Sequence, residues 1–407
     1  MRGRLRAAVV GIAVAGGVVG GTAGWAQAAA YPQEAPAAQP AAFAQVAPGV
    51  QDEDGTPEEL ATQANRGRTA KAAEKASAGF VPVRQLVDRP LAGVSPSKGE
   101  LWLVENSGPT EPIRLEHLKS GRWSTEEAAP AGSDRGSISM AATARDDVWL
   151  SAAGTLRRYD GAAWTPVATP KGPGGTPMVA SALTAPSRGT LYAALRAGWQ
   201  DPAHVYRHAQ GRWTDLGVPA GAGSYFSPMK IVVVDGGVSV LAYNYRAIDA
   251  YDYVNGSWSP GRQVGFNGGA QYSTVGGYYV SSALRHLVLG GSGFGGQLPR
   301  CQKWTPKGDE QCVSSVVASA SAQLKNGTIV LGGHDYRTPQ SPPAPPQRDV
   351  EGTFALRGTD GSERPIPGDP GRSTELVIAE RNQNAAWAVT YEYGSAGPVY
   401  TLQRYDG

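Results

Sequence analysis

Five histidines, His117, His204, His208, His286 and His334, are all that this chain offers for imidazole chemistry. His204 and His208, in "HVYRH", fall on a strand by pattern. Residues four apart on a strand share a face but sit about 13 Å apart at ~3.3 Å per residue, too far to hold one metal ion. No HExxH, GxSxG or acidic calcium-loop pattern occurs. Glycoside cleavage needs two carboxylates facing each other across a pocket. The segments expected to line the centre, "SISMAAT" (137–143) and "VSSVVASA" (313–320), carry small and aliphatic residues, with Glu375 the main exception. No catalytic set, metal site or cofactor is therefore assigned. The two cysteines, Cys301 and Cys312 in "CQKWTPKGDEQC", lack CxxC spacing and are close in sequence, which predicts a local disulfide in an oxidising compartment.

Residues suited to binding are easier to find. Tyr and Trp beside charged and amide groups are what recognition surfaces enrich. Such mixtures follow short hydrophobic runs at Trp199 and Asp201, at Tyr243, Tyr245 and Arg246, and at Phe294 in "GSGFGG". They recur at His334, Asp335, Tyr336 and Arg337, ahead of "TPQSPPAPPQ" (338–347), and at Tyr391 and Tyr393. Tyr243 and Tyr391 are equally well explained as the ends of buried strands.

The elements that would position these residues repeat along the chain. Gly-x-Trp or Gly-x-x-Trp ends at Trp123, Trp164, Trp213 and Trp258, with a degenerate copy at Trp304, giving spacings of 41, 49, 45 and 46 residues. Each is preceded by a β-rich run, and such runs number seven: "ELWLV" (100–104), "DVWLS" (147–151), "TLYAA" (190–194), "VSVLAY" (238–243), "HLVLGG" (286–291), "TIVLGG" (328–333) and "AAWAVT" (385–390). Residues 79–407 shared among seven copies give about 47 each. A period in the forties with several short strands per copy predicts a β-propeller of four-stranded blades. The buried run is then the second strand, the Gly-x-Trp turn joins the third to the fourth, and the Trp packs between blades. The chain stops at "LQRYDG" (402–407), which matches "LRRYDG" (156–161), while "AGFVPV" (78–83) matches what should come next. The N-terminal segment is thus expected to complete the last blade and close the ring, leaving no open edge.

"LVLGG", "TIVLGG" and "AYDYVNGSW" (250–258) resemble kelch repeats, and "DVWLSAAGTLRRYDGAAW" resembles the repeats of two-component-regulator propellers. The whole of 79–407 resembles secreted actinobacterial propellers. This implies a fold and leaves function open, since propellers host unrelated activities. The Asp-box of sialidase-like propellers is not matched, because Asp160 adjoins Gly161 directly.

Residues 1–28 read as a signal peptide: Arg2, Arg4 and Arg6, an uncharged Ala/Gly/Val stretch, then Ala26-Gln27-Ala28. Residues 29–78 read as an Ala/Pro-rich linker with helix signals at Thr56, Pro57 and Glu59. The net charge of +2 becomes −1 without the leader, which gives no long-range attraction to nucleic acid or anionic membrane. No stable membrane insertion is expected after cleavage. The sequence therefore predicts a secreted, monomeric, non-catalytic binding or adaptor propeller that recognises an extracellular protein or glycan through an asymmetric loop face. A lectin is the second reading, and a propeller hydrolase or lyase the third.

Overall fold

The protein is described by a computed structural model over 79–407, except for residues 107, 109, 132–137, 199–200, 224–225, 245–246, 265–274, 281–285, 291–300, 306–307, 313, 336–351, 369–370, 372 and 396. The signal-peptide and linker segments, 1–28 and 29–78, lie outside the described residues.

The regular structure described is β throughout, apart from a three-residue 3-10 turn at Pro173–Gly175. Strand β1 (Phe80–Leu86) is the first of the described strands. It is followed by a sheet of β2 (Arg89–Ser97), β3 (Glu100–Asn106), β4 (Ile113–Lys119) and β5 (Arg122–Ala129). The next contains β6 (Ser139–Ala144), β7 (Asp147–Ala152), β8 (Thr155–Tyr159) and β9 (Trp164–Val167). Then come β10 (Val179–Ser187), β11 (Thr190–Arg196), β12 (His204–Ala209) and β13 (Arg212–Asp215). The sheet of β14 (Ser227–Val234), β15 (Gly237–Asn244), β16 (Ala247–Val254) and β17 (Ser257–Trp258) carries an extra strand, β18 (Arg262–Gln263), on β16. After it lie β19 (Val275–Val280), β20 (His286–Gly290), β21 (Cys301–Thr305) and β22 (Gly308–Cys312). The next sheet is β23 (Val316–Gln323), β24 (Ile329–Asp335), β25 (Gly352–Arg357) and β26 (Glu363–Pro365). Finally β27 (Ser373–Ala379), β28 (Ala385–Gly394) and β29 (Gly397–Asp406) take β1 as their fourth strand, from Phe80 opposite Tyr405 to Leu86 opposite Tyr400. All these pairings are antiparallel. The architecture is a β-propeller with four-stranded blades.

Burial explains the order of residue types within a blade. Second strands are sandwiched on both faces, so β3 and β7 are almost wholly buried and carry the apolar runs Leu101–Val104 and Val148–Leu150, with buried acids at Glu100, Glu105 and Asp147. First strands crowd together near the centre and carry small residues. A Cβ on Gly93 of β2 would come within 2.5 Å of Ile378 on the neighbouring β27. Fourth strands form the exposed outer edge, and β5 and β13 are largely polar there.

Each sheet buries its apolar face on the next. Leu86, Trp387 and Leu402 of the last sheet pack with Leu101, Leu103 and Leu118 of the first. Phe80 fills the preceding interface, with its ring 4.2 Å from Phe354 and 5.6 Å from Tyr405.

The Gly-x-Trp turns join third to fourth strands at Trp123, Trp164, Trp213 and Trp258. Gly121, at φ +75°, makes the first of these turns in a conformation that a side chain would strain. Three of the indoles donate backwards to the preceding blade: Trp164 Nε1 to Glu126 (2.7 Å), Trp213 Nε1 to the Ala168 carbonyl (2.8 Å) and Trp258 Nε1 to the Leu216 carbonyl (2.6 Å). Trp304 breaks the expected pattern, because it lies in β21, a third strand ahead of its turn. The tyrosine and aspartate of "YDG" also acquire a cause. Asp160 Oδ1 accepts the amides of Ala162 and Ala163 at 2.9 Å each, and Tyr159 donates to the Gly161 carbonyl at 2.8 Å. The motif is turn chemistry.

Cys301 and Cys312 stand directly opposite each other on β21 and β22, Cα atoms 5.1 Å apart, and form a disulfide. The short loop it closes predicts a modest contribution. The double variant C301S/C312S should lose about 2–3 kcal/mol in denaturant unfolding. A loss near zero would show the hairpin to be held by its ladder alone.

Candidate functional site: the loop-bearing face at the β1 seam

Second-to-third-strand and fourth-to-first-strand connections open on one face of a propeller, and the other two kinds of turn open on the opposite face. Of the residues singled out by sequence, Trp199, Tyr245, Arg246, Phe294, Tyr336 and Arg337 lie outside the described residues. His334 and Asp335 end β24, opposite Val317 and Val316. Asp201 is exposed in the β11–β12 connection, and its amide donates to the Gly198 carbonyl at 3.1 Å. Tyr243 is half-buried against the core between the β14–β17 and β19–β22 sheets. Tyr391 and Tyr393 are brought together near the end of β28, ring centroids 5.6 Å apart. Tyr391 packs on the core and lies 6.1 Å from Tyr400, whereas Tyr393 is 59 % exposed. Asp201 and Tyr243 belong to other sheets.

Around Tyr391 and Tyr393 the seam between the last and first blades is unusually polar. Arg89 of β2 pairs with Glu375 of β27 at 3.1 Å. Arg84 of β1 reaches Glu116 of β4 at 3.3 Å and stacks its guanidinium 4.4 Å from the Trp123 ring centre. Thr125 donates to the other Glu116 oxygen at 2.7 Å. Arg114 contacts Asp88 and stands 3.7 Å from Glu105. Burial first, and then Glu375, raise the Tyr400 pKa, with Arg89 opposing and Tyr391 and Tyr393 adding to the rise.

Glu105 is fully buried, and neither of its oxygens accepts a hydrogen bond. Burial, then the neighbouring Glu116 charge, push its pKa up to about 7 against the pull of Arg84. Such a carboxyl has the proton affinity of a general acid, but with no exposed surface it cannot meet a substrate. Glu116 is bound on both oxygens, and Glu375 is paired. The cluster organises a surface and a seam; it does not present facing carboxylates.

A second cluster has the outline of nucleophilic chemistry. Ser97, Glu100 and His117 are within contact distance, with Glu100 3.0 Å from His117 Nε2. The Ser97 hydroxyl donates to Glu100 (2.8 Å), leaving no hydroxyl-to-imidazole bond to activate it. The same arrangement recurs with arginine in the histidine's place. Arg158 binds Asp147 at 2.7 Å and Thr143 donates to that Asp147; Arg404 binds Glu380 at 3.0 Å. In each case the basic group covers a buried indole: His117 stacks 3.5 Å from Trp102, Arg158 sits 5.2 Å from Trp149, and Arg404 sits 5.3 Å from Trp387. An arginine cannot serve as a general base at ordinary pH. The repeated unit is an acid that fixes a flat basic group, imidazole or guanidinium, over a core tryptophan, and it is structural. Sequence reasoning missed it because the basic member lies on a different strand from the acid and the indole, 9 to 24 residues further along the chain.

The opposite face, expected from its uniform turns to be plain, carries two concavities. One, of about 340 Å³, is lined by Lys98, Glu100, Lys119, Ser120, Arg145 and Arg404, with Gly99 and Gly121. The other is lined by Ser95, Lys325, Glu380 and Arg381 among others. Uniform backbone turns did not make this face featureless, because the side chains on them differ.

No known family and no curated protein matches the sequence. Among solved structures, the chain is similar to the WD40 β-propeller domain of Doa1, at 13 % identity and TM-score 0.46, covering 80 % of this chain and 97 % of that one. It is similar to YCF48 bound to a D1 peptide, at 12 % identity and TM-score 0.48, covering 81 % and 96 %. It is also similar to the extracellular domain of a putative hybrid two-component system from B. thetaiotaomicron, at 10 % identity and TM-score 0.48, covering 79 % of this chain and 42 % of that chain.

Proposed function

We propose that the chain is a secreted, non-catalytic binding or adaptor protein. In this reading it is a seven-bladed ring closed by β1, recognising an extracellular protein or glycan at its loop-bearing rim. The sheets enumerated above, the pairing of β1 with β29 and the packing of the last sheet on the first support the closed ring. The disulfide is in keeping with an oxidising compartment. Among the described residues, no helix is long and apolar enough to cross a membrane.

One observation carries the binding assignment. Of the large apolar side chains exposed among the described residues, Val81, Val83, Val87, Tyr393 and Val399 all belong to the β1-containing sheet or the residue directly after β1; Val233 alone lies elsewhere. Val87, Tyr393 and Val399 lie toward the loop-bearing end of this sheet, near Tyr391 and the Arg89–Glu375 ion pair, whereas Val81 stands opposite Arg404 at the other end. Exposed apolar groups gathered on one sheet are what a recognition surface presents. The loop residues Trp199, Tyr245, Arg246, Phe294, Tyr336 and Arg337 extend the same reading around the rim as further anchors.

The test is Tyr393→Ala in the secreted protein, assayed against proteins of the culture supernatant and a glycan array. Saturable binding to one partner, weakened about 5- to 100-fold in the variant at unchanged melting temperature, is the expected result. Several equivalents of sugar per chain would favour a lectin. A large fall in melting temperature would make Tyr393 a structural residue and remove it from the site.

A further inference from the structure

The cavity on the face opposite the loops holds an imbalance of charge that neither the blade scaffold nor the proposed partner surface uses. It lies where the β2–β3 turn (Lys98, Gly99) and the β4–β5 turn (Lys119, Ser120, Gly121) meet Arg145, from the β6–β7 turn, and Arg404, from β29. Four basic side chains line it, against one acid, Glu100.

The partners of these groups separate the committed charges from the free ones. Glu100 receives His117, the Ser97 hydroxyl and Arg145, the last at 3.1 Å. Burial opposes its ionisation, but the bonds from His117 and Ser97, with the His117 and Arg145 charges, hold its pKa below the usual carboxylate range. Arg404 is spent on Glu380, through both Nε and Nη2, and on Asp406 at 2.9 Å. Arg145 bonds through Nε to Ser97 and Glu100, which leaves its terminal amino groups uncommitted on a side chain that is 64 % exposed. Lys98 and Lys119 are exposed, and neither has an ion pair or hydrogen bond among the described residues. Two ammonium groups are therefore left uncompensated at the mouth of one cavity, in a protein whose overall charge is close to zero.

Like charges held together on neighbouring turns repel, and a bound counter-ion relieves that repulsion. Two uncompensated cations match a doubly charged oxyanion better than a singly charged carboxylate. Compact ammonium groups on flexible stems suit a tetrahedral anion, with the free end of Arg145 supplying further N–H donors. We infer that this cavity, at the Lys98, Lys119 and Arg145 corner of the first blade, is a binding site for a phosphate-class dianion. Two sources present that chemistry: free inorganic phosphate, and a phosphate monoester borne by a larger molecule. The site lies on the face opposite Tyr391 and Tyr393 and does not depend on them.

The experiment is titration calorimetry of the full secreted chain at low ionic strength, where exposed charges are least screened. The probes are inorganic phosphate, glycerol 2-phosphate and acetate. One saturable phosphate site per chain is expected, with acetate at least about tenfold weaker. Lys98→Ala combined with Lys119→Ala should weaken phosphate about tenfold or more, whereas Lys171→Ala, an equal charge loss on the loop-bearing face, and Tyr393→Ala should not. Glycerol 2-phosphate binding as well as inorganic phosphate would assign the site to an esterified group; exclusion of the ester would assign it to the free ion. Undiminished phosphate binding by the lysine double variant, equal binding of acetate, or no saturable binding would overturn the inference. Both lysines are exposed, so a matching melting temperature in the variant excludes misfolding as the cause of any loss.

Discussion

Glu105→Gln is expected to melt at a higher temperature than the wild type at pH 8 and at the same temperature near pH 4. The Glu105 carboxyl has a folded-state pKa of about 7 against an ordinary value of 4.5. Below pH 4.5 it is protonated in both states and contributes no pH dependence. Between about 4.5 and 7 the unfolded chain gives up its proton while the folded chain keeps it, so stability falls as pH rises. Above about 7 the folded state carries the full penalty of a buried carboxylate with no hydrogen bond. A gap of that size corresponds to a ceiling of roughly 3 kcal/mol. Glutamine keeps the shape and removes the charge, so the variant should lack this slope.

Glu100 acts in the other direction. Its lowered pKa gives stability that is present above the ordinary carboxylate value and lost on acidification. The difference between variant and wild type isolates Glu105 from it. A variant less stable than wild type at pH 8 would mean that Glu105 is ionised and productively paired with Arg114, and the seam would need a different electrostatic account.

Removing residues 1–84 should abolish cooperative folding or leave an aggregating protein, while removing 1–76 should leave the melting temperature unchanged. The longer deletion takes Phe80 from between Phe354 and Tyr405, Arg84 from Glu116 and Trp123, and most of the pairing to β29. Loss of a buried Phe alone costs about 3–5 kcal/mol, a large share of the stability of an ordinary domain. It also leaves β29 as an unpaired edge with apolar neighbours, a template for association. Equal melting temperatures and equal solubility of the two truncations would show that β1 is dispensable and would remove the closed-ring reading.

What the sequence could reveal depended on distance along the chain. The Gly-x-Trp turns and the buried second strands are local: their residues sit within one hairpin, so period and residue type located them. The likeness of "AGFVPV" (78–83) to the residues that follow "LRRYDG" (156–161) pointed to the β1–β29 pairing, because both are copies of one repeat. Trp304 was misplaced because spacing alone cannot tell a tryptophan before a turn from one after it. Arg89 with Glu375, and Arg84 with Glu116, could not be seen as pairs, since the contacts join residues 286 and 32 positions apart. Tyr391 and Tyr393 were visible because they alternate on one strand, and their different burial follows from which neighbour each meets.

The tryptophan bonds between blades also run in one direction. Trp164, Trp213 and Trp258 each donate to an acceptor that lies earlier in the chain, by 38 to 45 residues. During synthesis from the N-terminus, every such acceptor has left the ribosome before its donor. Each blade can therefore dock on a neighbour that already exists, and the nascent chain grows as an ordered stack. Strand β1 is the exception. Its partner β29 lies some three hundred residues later in the chain, so the two cannot pair until that stretch has been translated. Among the described strands the β1–β29 pairing spans the greatest sequence separation, and contacts of such range are the costliest to close in loop entropy.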